Sequence, residues 1–188
     1  EKYWLVDPLD GTKEFIKKNG EFTVNIALIE NNSPVLGIIH VPVSCETFYG
    51  SENNGSYYFH NNNQAKRINI SENISKKIRV ISSRSHPNKK VNSFLEAIQH
   101  YKIITKGSSL KFCFIASGKA DIYPRFGPTS EWDTAAGDAI VRYSGGHVLN
   151  LEGEPLSYNL KKNFLNPEFI VTNNKKEAMK LIDLIKDY

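Results

Sequence analysis

Apolar and polar residues alternate along the first part of the chain with the period of β-strands. Every second position is apolar over Phe22, Val24, Ile26 and Leu28, which predicts a half-buried strand. Further strands are predicted over Glu1 to Val6, Val35 to Val41, Thr47 to Gly50, Ser56 to Phe59 and Arg67 to Ile70. Turn-rich stretches such as Glu30 to Pro34 separate these strands. We therefore expect an antiparallel sheet over about the first 70 residues.

From residue 77 onward, strand-like runs alternate with segments of helical spacing. Ile78 to Ser82, Asn88 to His100 and Lys102 to Thr105 predict a β-α-β order. Helices are then predicted over Ser109 to Ser117, Thr134 to Tyr143 and Lys175 to Lys186, and strands over Ala120 to Pro124, His147 to Leu151 and Phe169 to Thr172. The change of pattern predicts two domains, a sheet domain at residues 1–74 and an α/β domain at 75–188.

Composition places the chain among ordinary globular proteins. It has 188 residues, of which 40% are hydrophobic and 23% charged, enough for one full domain or two small ones. No apolar run approaches the roughly 20 residues of a transmembrane helix, and no secretory signal opens the chain. Cys45 and Cys113 lie in apolar segments without metal-binding spacing, so we expect both to be buried and reduced. The cytoplasm is therefore the expected compartment.

The charge balance is mildly basic, with a formal net charge of +4 and a pI of 8.9. The lysines are scattered along the chain, whereas a nucleic-acid groove needs basic residues massed with aromatic ones on one surface. The sequence therefore argues against a nucleic-acid partner. A small anionic substrate remains compatible with it.

Two aspartates stand close together in the stretch WLVDPLDGTKEFI, residues 4–16. The proline after Asp7 disfavours helix there, while Asp10, Gly11 and Thr12 form a turn that can open a helix at Lys13. Carboxylates this close repel each other unless they are solvated or share a cation. Turn and capping roles alone are the alternative explanation for such Asp-Pro and Asp-Gly pairs.

A second acidic stretch, GPTSEWDTAAGDAI at residues 127–140, places Asp133 at a predicted helix start. A helix cap is the simplest explanation for Asp133 by itself. The small residues that follow it would also allow another group to approach the helix backbone closely.

Together the two stretches resemble the signature pair of the inositol monophosphatase superfamily of magnesium-dependent, lithium-sensitive phosphatases. That pair reads D-P-[IL]-D-G-T and W-D-x-A-A-G, and both motifs are complete here. Further stretches resemble the 3'(2'),5'-bisphosphate nucleotidase branch: KEFI at 13–16, SRSH at 83–86, GSSLKFC at 107–113 and YPRFGPTSEWDTAAGDA at 123–139. The resemblance extends from the first residues to about Phe169.

The resemblance implies a layered αβαβα sandwich, in which an antiparallel sheet is followed by a smaller α/β domain. The N-terminal helices of that fold would lie outside this sequence. The family also supplies one more metal-ligand glutamate from a segment before Tyr3, and Glu1 and Glu14 do not occupy the matching place. We therefore expect weak cation binding and slow turnover if these 188 residues act alone.

The resemblance also implies a site of about two or three Mg²⁺ ions. In it, Asp7 would bridge two ions, the Leu9 carbonyl and Asp10 would complete one site each, and Asp133 would hold the second ion. Thr12 matches the threonine that orients the attacking water, and the amides of Gly11 and Thr12 match those that hold the reacting phosphate.

Substrate recognition is implied for a further set of residues. These are Ser83, Arg84, His86, Gly107, Ser108, Ser109, Lys111 and Arg125. For His86 the alternative, nearly as well supported, is an ordinary loop position before Pro87, and for Lys111 the alternative is a solvated helix position. Tyr123 and Phe126 would give Arg125 an ordered setting for binding phosphate.

The expected activity is removal of the 3'-phosphate of adenosine 3',5'-bisphosphate to give AMP, with possible action on its sulfated precursor, in sulfur assimilation. Two alternatives stay open: an inositol monophosphatase, which Lys13, Glu14 and Phe15 disfavour, and a non-catalytic nucleotide-binding module. The family resemblance also permits loose attachment to the inner face of a bacterial membrane. Oligomeric state, lithium sensitivity and the preferred nucleotide are left open by the sequence.

Overall fold

A computed structural model describes residues 1–61, 63–71, 77–83, 89–98 and 100–186. The strands in these ranges are β1 Lys2–Asp10, β2 Thr23–Glu30, β3 Ser33–Val41, β4 Glu46–Ser51, β5 Gly55–His60, β6 Lys66–Ile68, β7 Ile78–Ser83, β8 Tyr101–Lys106, β9 Ile122–Arg125, β10 His147–Asn150 and β11 Phe169–Thr172. The helices are α1 Thr12–Ile16, α2 Lys89–Ala97, α3 Leu110–Ala116, α4 Glu131–Tyr143 and α5 Lys175–Lys186. None of these helices has the length and apolar character needed to cross a lipid bilayer.

The first six strands form one sheet in the order in which they occur along the chain. Every neighbouring pair is antiparallel. Short turns suffice to join such strands, which agrees with the closely spaced turn signals in this part of the sequence. The predicted antiparallel sheet is confirmed.

The remaining five strands form a second sheet in the order β10-β11-β9-β7-β8. β7 runs parallel to β8 and to β9, with α2 connecting β7 to β8. The predicted β-α-β order is therefore confirmed. β9, β11 and β10 pair in antiparallel fashion, which makes the sheet mixed.

Helices and sheets alternate in layers. α3 and α4 pack between the two sheets around a core that includes Ile39, Phe112 and Phe169. On the other face of the second sheet, α2 and α5 enclose a smaller core around Phe94 and Ile182. This order of layers matches the predicted sandwich. The division into domains at residue 74 stays a prediction.

Small residues let α4 lie directly on the first sheet. A Cβ atom added to Gly37 of β3 would stand 2.2 Å from the carbonyl oxygen of Ala136 in α4. On the neighbouring side of the helix, a Cβ atom added to Gly137 would stand 2.4 Å from the Phe112 ring. The close approach predicted at the small residues after Asp133 is thus made by the protein's own sheet and by α3.

The structure corrects the expected orientation of β2. Its buried face carries Thr23, Asn25, Ala27 and Ile29, while the more apolar alternate positions 24, 26 and 28 are only partly buried. The alternation predicted the strand correctly. The face that is buried, however, is the less apolar one, because α4 packs against it. Apolar character alone did not identify that face.

Two local expectations also change. Cys113 is buried as predicted, but the prediction for Cys45 was wrong, because Cys45 is exposed at a backbone position with φ of 51°. α4 begins at Glu131 rather than at Thr134, after Ser130, which acts as the N-cap. Asp133 therefore occupies the third helical position and accepts the Ser130 N–H at 2.7 Å, completing a capping box.

Substituting Gly37→Ala should destabilise the protein by about 2 to 3 kcal/mol, because the new methyl group would collide with the backbone of α4. Urea denaturation measures the change in the free energy of unfolding. The matched control is Ile38→Val on the opposite face of the same strand, for which we expect about 1 kcal/mol. Equal effects of the two substitutions would contradict the close packing of α4 on β3.

Candidate active site

Three carboxylates from distant parts of the chain meet where the end of β1 faces the start of α4. Asp7 and Asp10 belong to β1, and Asp133 lies in the first turn of α4. One oxygen atom from each carboxylate lies within 4.8 Å of the other two. The two acidic motifs recognised in the sequence therefore form a single cluster.

An irregularity in β1 allows Asp7 and Asp10 to face the same cluster. Side chains three positions apart in a regular strand point to opposite faces. Between Asp7 and Asp10 the pairing register of β1 with β2 shifts, leaving Pro8 and Leu9 outside the paired positions. The Leu9 N–H donates to Oδ1 of Asp7 at 3.0 Å, which fixes the first carboxylate.

The cluster is electrostatically costly in the absence of a cation. Burial raises the pKa of Asp133 to about 6, with smaller contributions from the carboxylates of Asp10 and Asp7 and an opposing effect of the Ser130 N–H. Burial also raises the pKa of Asp7, and the neighbouring Asp10 carboxylate adds to this increase. Oxygen ligands of this kind are those that Mg²⁺ prefers, so these residues fit a hard divalent cation.

A cavity of about 300 Å³ opens beside the carboxylates. Residues predicted from the sequence line much of it: Asp10, Gly11, Thr12, Ser83, Ser108, Ser109, Lys111, Arg125 and Asp133. Other lining residues were not assigned to the site from the sequence: Lys13, Glu14, Phe112, Tyr123, Thr129, Thr134 and Phe169. Most of the candidate residues therefore surround one space.

The other sequence-predicted residues have different positions. Asp7 belongs to the carboxylate cluster, and Leu9 lies in the irregular segment of β1. Gly107 donates its N–H to Glu21 at 2.8 Å. Arg84 and His86 lie outside the described residues.

Within the described ranges, Lys111 and Arg125 are two of the three basic side chains that line the same cavity, and Lys13 is the third. Lys111 is only 6% exposed, donates from Nζ to the Ser108 carbonyl at 2.5 Å and lies 5.4 Å from the centre of the Tyr123 ring. It is therefore not on a solvated helix face, and its burial lowers the Lys111 pKa to about 8. Arg125 donates from Nη2 to the Pro128 carbonyl at 2.9 Å, while its Nε is buried without a hydrogen-bond partner among the described residues.

Ser108 and Gly11 bring the two sides of the cavity into close contact. Ser108 has a φ of 44°, unusual for a residue with a side chain, and Gly11 has a φ of 82°. A Cβ atom added to Gly11 would stand 2.9 Å from the Cβ of Ser108. Within the part of the chain that the structure describes, the Ser108 hydroxyl is buried without a hydrogen-bond partner. It is therefore available to a bound molecule.

Sequence reasoning missed the polar residues behind the carboxylates. Thr23 and Asn25 face inward from β2 and approach Asp10 to 3.4 Å each. The available signal was two polar residues at alternate positions of a strand that follows the first acidic motif. It went unused because the opposite face of β2 is more apolar.

Comparisons with known proteins agree with the fold and the motifs. The profile of the Inositol monophosphatase family matches residues 1–188. The chain is 48% identical over 172 residues to the 3'(2'),5'-bisphosphate nucleotidase CysQ of Salmonella typhimurium, an overlap of 92% of this chain and 68% of that protein. The CysQ of Escherichia coli K12 is 45% identical with the same coverage.

Solved structures resemble the fold over most of its length. The crystal structure of CysQ from Bacteroides thetaiotaomicron is 42% identical and superposes with a TM-score of 0.84, covering 92% of this chain and 70% of that one. The structure of an IMPase from Thermotoga maritima is 26% identical and superposes with a TM-score of 0.79. The match covers 99% of this chain and 69% of the Thermotoga chain.

The raised pKa of Asp133 predicts that the free energy of unfolding of the metal-free protein depends on pH. The folded state holds a proton on Asp133 that the unfolded state has released, so this contribution to stability falls as pH rises from about 4 to about 6. Asp133→Asn keeps a side-chain oxygen for the Ser130 N–H but does not ionise. Its free energy of unfolding, relative to the unmodified protein, should therefore increase by about 1 to 2 kcal/mol across this pH range, allowing for partial solvent screening.

Urea denaturation in a chelator at several pH values measures this difference. At pH 7, adding a divalent cation should remove the stability advantage of Asp133→Asn. The cation should stabilise the protein that retains the Asp133 carboxylate. A difference between the two proteins that stays constant with pH would contradict the raised pKa of Asp133.

Proposed function

This chain belongs to the inositol monophosphatase family, and from that premise we propose that it is a magnesium-dependent phosphatase of adenosine 3',5'-bisphosphate. It removes the 3'-phosphate and gives AMP and inorganic phosphate. The sulfated precursor of that nucleotide is a second substrate by the same chemistry. The observation that carries the proposal is one cavity lined by Asp10 and Asp133 of the carboxylate cluster and by the cations Lys111 and Arg125.

The metal-binding part of the proposal uses the carboxylate cluster. Asp7, Asp10 and Asp133, with the Leu9 carbonyl, would hold about two or three Mg²⁺ ions. Such ions supply charge neutralisation at the phosphoryl group and lower the pKa of a bound water. Their presence would also remove the mutual repulsion that the three carboxylates experience without a cation.

The chain's own residues would position the reacting phosphate. Gly11 and Thr12 line the cavity beside Asp10, at the point where β1 gives way to α1. We assign their amides to the phosphate oxygens and the Thr12 hydroxyl to orientation of the attacking water. Because the water is the nucleophile, no covalent intermediate with a side chain is required.

The cationic residues favour a substrate with a second phosphate. Lys111 is buried and Arg125 has a buried, unpartnered Nε among the described residues, so both offer donors to an anion that enters the cavity. An inositol monophosphate carries only the phosphate that reacts at the carboxylates. A nucleotide bisphosphate supplies another phosphate for these donors. We place the protein in the cytoplasm, where its two free cysteines would stay reduced.

The proposed activity is tested with protein expressed from its complete reading frame. Phosphate release from adenosine 3',5'-bisphosphate in Mg²⁺ is compared with release from inositol 1-phosphate, and Asp133→Asn serves as the inactive control. We expect release from the nucleotide, loss of release in a chelator, and at least about a hundredfold loss in the variant. Release from inositol phosphate alone would contradict the assignment. Nucleotide binding that is unaffected by a chelator and is not followed by turnover would identify a binding module.

Replacing Lys111 should separate recognition of the second phosphate from the reaction at the first. For Lys111→Met we expect an increase of about 10- to 100-fold in KM for adenosine 3',5'-bisphosphate, the loss of one charge-assisted contact. Adenosine 3'-monophosphate lacks the 5'-phosphate and should show little change in KM. Equal losses for both nucleotides would place Lys111 at the reacting phosphate instead.

Titration of Lys111 gives a second measurement. Its pKa of about 8 means that the side chain is cationic below this pH and neutral above it. Affinity for the bisphosphate should therefore weaken as pH rises from 7 to 9. Lys111→Arg, which stays cationic, should show a flatter profile.

A further inference from the structure

Ser109 has an unusual set of hydrogen bonds for a serine at the start of a helix. It is the N-cap residue of α3, a position where a serine side chain normally accepts a backbone N–H of its own helix. Here it makes no such bond, and its φ of −71° and ψ of −1° are already helical. Its side chain is therefore free for another role.

The side chain and backbone of Ser109 both bind one oxygen of Asp10. The Ser109 N–H and hydroxyl each lie 2.7 Å from Oδ2 of Asp10. Thr23 and Asn25 approach the same oxygen at 3.4 Å. The two short hydrogen bonds from Ser109 therefore both end on Oδ2, and neither ends on Oδ1.

Asn25 fixes the direction of the Ser109 hydroxyl from behind. It is 1% exposed, and its Nδ2 donates to the Ser109 Oγ at 2.9 Å. Its Oδ1 in turn accepts the Thr23 hydroxyl at 3.0 Å. With a donor already on its oxygen, the Ser109 hydroxyl directs its single hydrogen away from Asn25.

That hydrogen has two acceptors within reach, and both belong to residues that supply carboxylates to the cluster. One is Oδ2 of Asp10, and the other is the backbone carbonyl of Asp133 at 2.9 Å. Ser109 thus connects the end of β1 to the first turn of α4. Because the hydroxyl has only one hydrogen and Ser109 is 2% exposed, none remains to donate to a substrate.

From these contacts we infer that Ser109, oriented by Asn25, is a positioning residue for the divalent cation rather than a substrate-binding residue. It holds Oδ2 of Asp10 and so presents Oδ1 as the oxygen that binds the cation. It also sets the spacing between Asp10 and Asp133. The inference rests on the proposed metal-dependent function, and it assigns to Ser109 a role different from the one that the sequence resemblance implied.

Cation binding tests this role without relying on turnover. Mn²⁺, a spectroscopic probe for a hard divalent site, is titrated into protein from the complete reading frame, and free Mn²⁺ is followed by electron paramagnetic resonance. We expect Ser109→Ala to weaken Mn²⁺ binding about 10- to 100-fold, as for the loss of other groups that orient a metal ligand. Ser109→Thr, which retains the hydroxyl, should restore binding to within about threefold of the unmodified protein.

The neighbouring serine provides a matched control. Ser108 lines the same cavity, but among the described residues its hydroxyl makes no hydrogen bond. Ser108→Ala should leave Mn²⁺ affinity unchanged and weaken binding of adenosine 3',5'-bisphosphate. Unchanged Mn²⁺ affinity in Ser109→Ala, together with weakened nucleotide binding, would overturn the inference. Ser109 would then be a substrate-binding residue.

Thermal unfolding in a chelator checks that each variant folds. If Ser109→Ala does not fold, Asn25→Leu, which keeps the shape of the side chain and removes its donors, should still weaken Mn²⁺ binding severalfold. Full Mn²⁺ affinity in Asn25→Leu would then overturn the inference. Failure of the unmodified protein to bind any divalent cation would instead overturn the proposed function, so the two failures are distinguishable.

Discussion

Mutual repulsion among three carboxylates is the constraint around which this structure is arranged. Asp7, Asp10 and Asp133 bring one oxygen each within 4.8 Å of the others in a partly buried setting, where ionised groups repel strongly. Side chains on flexible loops would move apart. These three are held by a strand and a helix whose packing is fixed elsewhere in the molecule. The fold therefore holds together an arrangement that a bound cation would make more favourable.

The packing of α4 on the first sheet is what holds the cluster together. The helix can lie close to β3 because Gly37 has no side chain to oppose the backbone at Ala136. The capping box of Ser130 and Asp133 then fixes the start of the helix, and the irregularity in β1 turns Asp7 and Asp10 toward it. The acidic groups are thus positioned by a packed strand and helix, together with the irregularity in β1. Binding sites that need exact geometry are usually built on such rigid elements.

Opposite charges share the cavity next to this cluster. Its lining includes acidic side chains that suit a divalent cation and basic ones, among them Lys111 and Arg125, that suit an anion. Burial of Lys111 strengthens any ion pair that it forms with a bound anion, because less water competes for the charge. A doubly phosphorylated ligand can engage both kinds of group at once, which is the physical basis of the proposed preference over a ligand with a single phosphate.

Most of the fold and most of the candidate residues could be predicted from the sequence. Periodicity located the strands of both sheets, and the resemblance of the motifs around Asp7 and Asp133 to a family signature pair implied one chemistry. Three features became visible only in the folded molecule: which face of β2 is buried, the exposure of Cys45, and the binding of Ser109 to Asp10. Ser109 lies 99 positions from Asp10 and 84 from Asn25. Local patterns encode the character of a segment, but the partner of a polar group is set by which distant segment packs against it.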